Sequence, residues 1–426
     1  MTATTATQSW KRVKIKDIYL GFYDGPHATP KLASEGAVFL GIKNITEDGK
    51  LDLSEIRYIS EEEFPKWTRR VLPSPGDLIF TYEATLNRYA IIPEGFRGCL
   101  GRRLALIRPN PDKVDTRFLL YYFFGEDWRK TIATNLIFGS TVDRIPLTNF
   151  PNFEISLPPL PIQRKIAAIL SAYDDLIENN TRRIEILEEM ARSIYHEWFV
   201  KFRFPGHESV KMVNSELGPI PEGWKLKTLA DFGQVITGKT PSKKIPENFG
   251  SYMPFIKTPD MHNNMFCIKV GEYLSKIGVA SQRNKTIPPN SLCVSCIGTA
   301  GIVAITSVPS QTNQQINSII LQEELNREFL YFALLGLKET INQYGANGAT
   351  MVNLNKGKFE SLRVTSPSKN LLSNFHKVTV SNFEMIRTLQ LKNLNLRKTR
   401  DLLLPRLISG EIDVENLDIN TGEIAA

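Results

Sequence analysis

Apolar residues in this chain mostly come in short runs broken by Pro, Gly and Asn, but in two places they settle into a long helical period. The first follows Leu157-Pro-Pro-Leu-Pro161, where a proline suits a first helical turn. From there Ile166, Ile169, Leu170, Tyr173, Ile177, Ile184, Leu187, Ala191, Ile194 and Trp198 recur at threes and fours, the spacing of one helix face. The second follows Ser366-Pro367, with Phe375, Val378, Met385, Ile386, Leu389, Leu396, Leu403 and Leu407, less cleanly because further leucines fall at 391, 394 and 402. Each stretch holds roughly 35–40 residues, about 55–60 Å of helix. Facing apolar stripes of that length predict an antiparallel coiled-coil pair with one globular unit near each end. The alternative is that each helix packs on its own domain; the length favours the pair.

The short runs repeat. Trp10…Asp17-Ile18 matches Trp224…Asp231-Phe232, and Val38-Phe-Leu-Gly-Ile-Lys-Asn44-Ile45 lines up with Pro254-Phe-Ile-Lys-Thr-Pro-Asp260-Met261. Pro75-Gly-Asp-Leu-Ile-Phe-Thr81 lines up with Pro289-Asn-Ser-Leu-Cys-Val-Ser295, and Ala84-Thr85 with Gly298-Thr299. Tyr89-Ala90-Ile91 then stands beside Val303-Ala304-Ile305, Phe118…Tyr121 beside Phe329…Phe332, and Gly139…Thr141 beside Gly348…Thr350. Matches that keep one order at a nearly constant offset are the mark of an internal duplication. Each copy reads as short β segments with a late helix: residues 78–82 and 292–297 as buried strands, 116–134 and 326–344 as helices. The predicted class is α+β, with globular units at 1–156 and 223–366. Long helices occupy 157–202 and 367–412, a Pro/Gly-rich linker 203–222, and a tail 413–426.

Charge sharpens this picture. Of the net +7, residues 1–155 carry 21 basic and 19 acidic side chains (+2), residues 156–222 carry 8 and 10 (−2), and residues 223–365 carry 15 and 9 (+6). A near-neutral middle between basic larger segments suits an anionic partner held by the globular units. No apolar run approaches a membrane span, residues 1–10 lack a signal-peptide core, and four irregular cysteines suggest no disulfide framework. The cytoplasm is the expected location.

Several motifs invite chemistry. Gly233-Gln-Val-Ile-Thr-Gly238-Lys239-Thr240 spells a phosphate loop, which needs a strand before it and a helix N-terminus after it. Pro241 and Pro246 oppose that helix, and the first copy has no such motif, so Lys239, Lys243 and Lys244 read better as a loop touching nucleic-acid phosphates. Cys293-Val-Ser-Cys296 has zinc or redox spacing, with His262 and Cys267 conceivable partners. The first copy has Ile79 and Tyr82 at the two positions, which suits a core strand. There is no H-E-x-x-H, no Asn/Asp-Pro-Pro-aromatic methyltransferase tetrapeptide, no Gly-rich dinucleotide fingerprint and no nuclease carboxylate set. The turn Gly298-Thr-Ala-Gly301 is no nucleophile elbow. No catalytic residue and no metal ligand is assigned.

What stands out is a surplus of polar loop residues suited to base edges and phosphates. In the first copy these are His27, Thr29, Lys43, Asn44, Thr81, Tyr82, Thr85, Asn87, Arg88, Arg102, Arg103, Ser140, Thr141 and Arg144. In the second they are Thr237, Lys239, Thr240, Lys243, Lys244, Lys257, Thr258, Thr299, Gln311, Thr312, Asn313, Gln314, Gln315, Asn347 and Thr350. Asn and Gln suit adenine, Arg suits guanine, and Lys suits phosphate. The competing reading is that these are ordinary turn and strand-edge residues.

Leu157-Pro-Pro-Leu-Pro-Ile-Gln163-Arg-Lys-Ile166, Ile194-Tyr-His-Glu-Trp198-Phe199 and Lys398-Thr-Arg400-Asp401-Leu-Leu-Leu-Pro405-Arg406-Leu-Ile-Ser-Gly410-Glu411-Ile412, with Pro219-Ile-Pro-Glu-Gly-Trp224, resemble the specificity subunits of type I restriction–modification systems. The resemblance covers nearly the whole chain. It implies two target-recognition domains, each reading half of a bipartite, asymmetric double-stranded DNA target. It also implies that the paired helices set the gap and dock two modification subunits. S-adenosylmethionine, ATP and Mg would then sit on the modification and restriction subunits, with no cofactor on this chain and no membrane involved. One departure is that Val364-Thr-Ser-Pro-Ser-Lys369 lacks the Leu-Pro-Pro-Leu-Pro-x-Gln form of the first copy. The rival functions are a stand-alone nucleic-acid binder, an enzyme of another class such as an NTPase acting through Lys239, and a coiled-coil adaptor without restriction–modification partners.

Overall fold

The two sequence copies adopt one strand plan. The computed structural model describes residues 10–138, 142–216, 218–346 and 352–422. These residues form two compact units, one within 1–176 and 396–426, the other within 177–395.

In unit 1 the strands Tyr19–Asp24, Leu104–Pro109, Leu78–Thr81 and Tyr89–Ile91 lie side by side in that order, all antiparallel. A second sheet orders Tyr58–Ile59, Ala37–Leu40 and Gly98–Leu100, its last pair parallel. Lys11–Lys14 pairs with Glu154–Leu157, so the first and last strands of the copy close on each other. Unit 2 repeats the plan. Gly233–Thr237, Ile316–Leu321, Leu292–Ser295 and Val303–Thr306 form the antiparallel sheet, extended by Phe266–Cys267 in parallel. Tyr273–Leu274, Phe249–Ile256 and Gln311–Thr312 form the second sheet, and Lys225–Thr228 pairs with Arg363–Ser366. Leu78-Ile-Phe-Thr81 and Leu292-Cys-Val-Ser295 are buried at every position, which is why they read as unbroken apolar runs. Both end one or two residues earlier than the pattern predicts, where the chain turns into a loop.

The late helix of each copy is a broken pair. Thr116–Phe124 and Glu126–Asn135 are separated by Gly125 at ψ 160°, and Arg327–Gly336 is followed by Lys338–Ala346. Asp115 caps the first of these by accepting from Phe118 N–H at 2.9 Å. The hydrophobic period ran through Gly125 because the stripe continues across the break. Phe123 stacks on Trp128 at 4.3 Å, and the Trp128 indole donates to Tyr89 Oη at 3.0 Å.

The long helices run Leu160–Tyr195, prolonged by a π-helical turn His196–Val200, and Lys369–Ile408. Each belongs partly to either unit, and within each unit the two helix segments run antiparallel. In unit 2 Asn180 Nδ2 donates to Asn393 Oδ1 at 2.9 Å, and Asn382 Nδ2 to Leu187 O at 3.4 Å. In unit 1 Arg400 pairs with Asp174, which also accepts from Tyr121 Oη at 2.6 Å, while Lys165 Nζ donates to Glu415 O at 2.6 Å.

Each unit's core therefore contains helix turns from both halves of the chain. In unit 1 Ile166, Ala167 and Leu170 share a core with Phe118, Phe150, Leu407, Ile408 and Val414. In unit 2 Ala191 and Phe199 join Phe329, Phe375, Phe383 and Ile386. The compact units thus cut across the boundaries drawn from sequence. The segment read as a linker is a packed part of unit 2: Met212–Ser215 pairs with Gly218–Pro221, and Phe204 lies 5.5 Å from Trp224.

Leu407→Ala, at a fully buried site, should destabilise unit 1 by about 2–5 kcal/mol. Arg327→Ala should cost about 3–5 kcal/mol in unit 2, because it leaves Glu328, 0% exposed, without its cation. Hydrogen exchange of the full chain separates the two: protection should fall over 116–135 for the first and over 327–346 for the second.

Candidate nucleic-acid interface

Two loops of each unit take the same backbone course. In unit 1 the loop after Leu78–Thr81 is closed by Thr81 N–H donating to Arg88 O at 3.0 Å and Ala84 N–H to Asp143 O at 3.4 Å. In unit 2 Ser295 N–H donates to Ile302 O at 2.9 Å and Gly298 N–H to Val352 O at 3.1 Å. Left-handed residues fall at matching points, Ala84 (φ 69°) and Asn87 (φ 59°) against Gly298 (φ 75°) and Gly301 (φ 85°). Thr85 and Thr299 stand exposed between them.

The second loop is the turn into the long central strand. Gly101 N–H donates to Leu40 O (2.8 Å), Tyr82 N–H to Arg103 O (3.1 Å) and Gly25 N–H to Leu104 O (2.8 Å). Their counterparts are Asn313 N–H to Ile256 O (3.1 Å), Cys296 N–H to Gln315 O (2.7 Å) and Gly238 N–H to Ile316 O (3.1 Å). Arg102-Arg103 and Gln314-Gln315 therefore occupy one equivalent turn.

In unit 1 the structure brings several candidates to one cleft of about 780 Å³, lined by Thr29, Lys43, Asn44, Arg88, Arg102 and Arg103, with Arg57 among them. A smaller hollow beside it gathers Thr85, Asn87, Arg88 and Arg129. Arg88 is partly held there, donating to Ile45 O and pairing with Glu47, both at 2.9 Å, and Arg103 pairs with Glu83 at 3.0 Å. Lys43 and Arg102 are exposed and make no hydrogen bond or ion pair among the described residues. His27 lies 2.8 Å from Asp24, which also holds Arg70. Arg144 is exposed, its backbone bridging both Glu83 and Ile137. In unit 2 Lys239, Lys243, Lys244, Thr299 and Gln314 are exposed. Gln314 accepts from Thr240 Oγ1 at 2.6 Å, and Thr237 donates to Asn317 at 2.6 Å.

Seven candidates are corrected by burial. Asn44 (5% exposed) accepts from Gly41 N–H and donates to Asp52 O, both at 2.9 Å, so its amide shapes the loop. Gln311 (0%) accepts from Gln282 Nε2 and donates to Thr286 Oγ1, both at 2.8 Å. Asn313 donates to Gln315 Oε1 at 3.0 Å. Thr81, Tyr82, Thr258 and Thr312 are likewise inside, and burial with the nearby Asp24 charge raises the Tyr82 phenol above its ordinary pKa. Lys257, half-buried, is paired with Glu272 at 2.8 Å. Ser140, Thr141, Asn347 and Thr350 lie outside the described residues.

Sequence reading missed Arg57 and Arg129. Arg57 reaches the cleft because it leads into the strand Tyr58–Ile59 beside Ala37–Leu40, its carbonyl accepting from Phe39 N–H at 2.8 Å, and it lies 5.2 Å from the Phe39 ring centroid. No local motif marks it. Of the two tempting motifs, Gly233–Thr237 is a strand that runs into a loop with no α-helix after it, so the phosphate-loop geometry is not built. Cys293 and Cys296 are core residues: burial pushes their thiols up to about 12 and about 11, and Cys293 contacts Ser318 Oγ at 3.4 Å. Among the described residues no His/Cys/Asp/Glu group is arranged to hold a metal, and no helix is long and apolar enough to cross a membrane.

The profile of the type I restriction modification DNA specificity domain matches residues 8–189 and 221–371, one match on each copy. The chain belongs to this type I specificity family. The type I restriction enzyme HindI specificity subunit of Haemophilus influenzae is 33% identical over 399 residues, spanning 79% of this chain and 86% of that one. The MjaIX specificity subunit of Methanocaldococcus jannaschii is 28% identical over 418 residues, spanning 95% and 90%. The crystal structure of the type I S subunit from M. genitalium shares the fold, with a TM-score of 0.58 at 15% identity over 93% of this chain and 96% of that one.

The motifs that carry the specificity-family likeness have structural reasons here. Gln163 (0% exposed) accepts from Asp115 N–H at 2.9 Å and donates to Pro158 O at 2.8 Å, locking the long helix to the cap of Thr116–Phe124. Gly410 ends the second long helix at φ 75°, and a Cβ there would meet the Trp10 ring at 3.0 Å. The second copy, lacking the glutamine, anchors its helix through buried Glu328, 2.7 Å from both Arg327 and His376.

Gln311→Ala should lower the stability of unit 2 by about 1–3 kcal/mol, the cost of buried partners left unsatisfied. Lys239→Ala should leave the melting temperature unchanged and reduce the slope of log K against log salt for DNA binding by about 1. Thermal unfolding and salt-titrated binding of the assembled complex check the pair.

Proposed function

We propose that this chain is the DNA-reading, non-catalytic subunit of a type I restriction–modification complex, and that it recognises a bipartite asymmetric target. The observation that carries this reading is the duplicated loop frame: one hydrogen-bonded scaffold, present twice, with different side chains on its exposed positions. Identical surfaces suit a palindrome; similar but non-identical ones suit two different half-sites. The free Lys43 and Arg102 beside a cleft, and the lysines of the 239–244 loop, fit a phosphate-and-base surface. Each half-site would bind weakly alone, and tethering raises the effective concentration of the second contact. The paired helices would set the interval between half-sites.

The helices also offer a docking surface for two modification subunits, which would bring restriction subunits with them. Ile186, Met190, Val378 and Met385 on the unit 2 segments, and Leu176 and Leu402 on those of unit 1, are exposed apolar side chains on elements otherwise well packed. S-adenosylmethionine, ATP and Mg would be held by those partners. That the HindI and MjaIX relatives are named specificity subunits supports reading this chain as the specificity component.

Coexpression of this chain with its modification subunit, in a host without other methylases, should yield a bipartite methylated-adenine motif on sequencing. That motif should vanish when this chain is omitted. A stable complex with active modification subunit but no motif would overturn the specificity role in favour of an adaptor.

A further inference from the structure

We propose that the turn formed by Arg102-Arg103 in unit 1 and Gln314-Gln315 in unit 2 is a matched base-reading position, with Arg102 reading a guanine in one half-site and Gln314 an adenine at the corresponding place in the other. The assignment rests on the bipartite reading above.

Three backbone hydrogen bonds hold each turn, from Gly101, Tyr82 and Gly25 in unit 1 and from Asn313, Cys296 and Gly238 in unit 2. The frame fixes where the two side chains start, and within it their roles divide in the same way. The second residue of each turn is tied inward, Arg103 to Glu83 at 3.0 Å and Gln315 to Asn313 at 3.0 Å. The first residue of each points outward: Arg102 and Gln314 are both exposed.

The chemistry at that outward position differs. Arg102 presents a guanidinium fork with no hydrogen bond or ion pair among the described residues, at the rim of a cleft lined by Lys43 and Arg57. Such a fork matches the O6 and N7 acceptors of guanine bidentately, whereas neither acceptor pattern nor fork geometry is met by an amide. Gln314 is an amide whose oxygen already accepts from Thr240 Oγ1 at 2.6 Å. That bond orients the group, leaving the NH2 to donate to adenine N7 and the second oxygen lone pair to accept from N6. A rigid frame with one variable outward side chain is what base discrimination requires, since a bidentate contact tolerates little angular freedom.

A phosphate contact by Arg102 is the competing chemistry, and substitution separates the two. Methylated motifs are mapped for the full complex carrying Arg102→Gln, Arg102→Lys or Gln314→Arg. With Arg102→Gln, guanine at one position of one half-site should give way to adenine, methylation at original sites falling roughly tenfold or more, while the other half and the spacer stay as they were. Arg102→Lys should lose the guanine preference without gaining adenine. Gln314→Arg should change adenine to guanine in the other half.

Uniformly weaker methylation with unchanged letters in Arg102→Gln, restored by Arg102→Lys, would make Arg102 a phosphate contact and overturn the assignment. A motif without guanine in the unsubstituted complex would do the same while leaving the specificity role intact. Absence of any motif from the unsubstituted complex would remove the specificity role and this assignment together.

Discussion

Everything in this molecule depends on an exchange of helix turns between the two copies. Neither copy closes its own core. The sheet and late helices of the first copy are covered by Ile166, Ala167 and Leu170 together with Leu407 and Ile408, which arrive from the far end of the chain. The second copy is covered by Phe375, Phe383 and Ile386 together with Ala191 and Phe199, which arrive from the first. Burial of this apolar surface stabilises each unit and at the same time selects the antiparallel pairing of the helices. Polar groups inside that seam refine it. Asn180 and Asn393, both buried, satisfy one another only where their residues face, and Asp174 serves Tyr121 and Arg400 at once.

A consequence is a division of labour between buried and exposed polar residues. Buried amides such as Asn44, Gln163 and Gln311 bond backbone and side chains within the unit and hold the loop ends in place. A buried amide without such partners would be destabilising, so each is committed to the scaffold. The exposed residues on the same loops are under no such constraint, and there the copies diverge: Arg102 in the first copy corresponds to Gln314 in the second, while the backbone course persists. A frame with satisfied interior polar groups can accept new outward side chains without loss of fold, which suits a surface whose job is discrimination.

Much of this was legible in the sequence. The paired segments around Asp17 and Asp231, Asn44 and Asp260, and Ala84 and Gly298 fall at structurally equivalent points; Asn44 and Asp260 even accept from equivalent backbone N–H groups, of Gly41 and Lys257. Strands at 78–81 and 292–295 and both long helices announced themselves through burial on every face or on one. What was not legible has two causes. An Asn or Gln in a loop has the same letter whether it meets solvent or a backbone carbonyl, so Asn44, Gln311 and Asn313 could not be told from Gln314. Arg57 joins the cleft only through sheet pairing, a non-local fact, and the division into units is hidden because helix periodicity says nothing about which core a given turn enters.

The divergent starts of the two long helices make the same point from the side of stability. Both copies must fix a long helix onto the shorter one beside it. The first does so with a neutral amide, Gln163, whose bonds reach the backbone at Asp115, Lys113 and Pro158. The second uses charge: Glu328 (0% exposed) between Arg327 and His376, with Arg327 reaching Glu384 of the long helix at 3.2 Å. A buried ion cluster is sensitive to loss of any member, whereas a neutral amide forfeits only its own hydrogen bonds. The absence of the Leu-Pro-Pro-Leu-Pro-x-Gln form in the second copy is therefore a change of anchoring chemistry under the same geometric requirement, with the helix, its antiparallel course and its contribution to the core all retained.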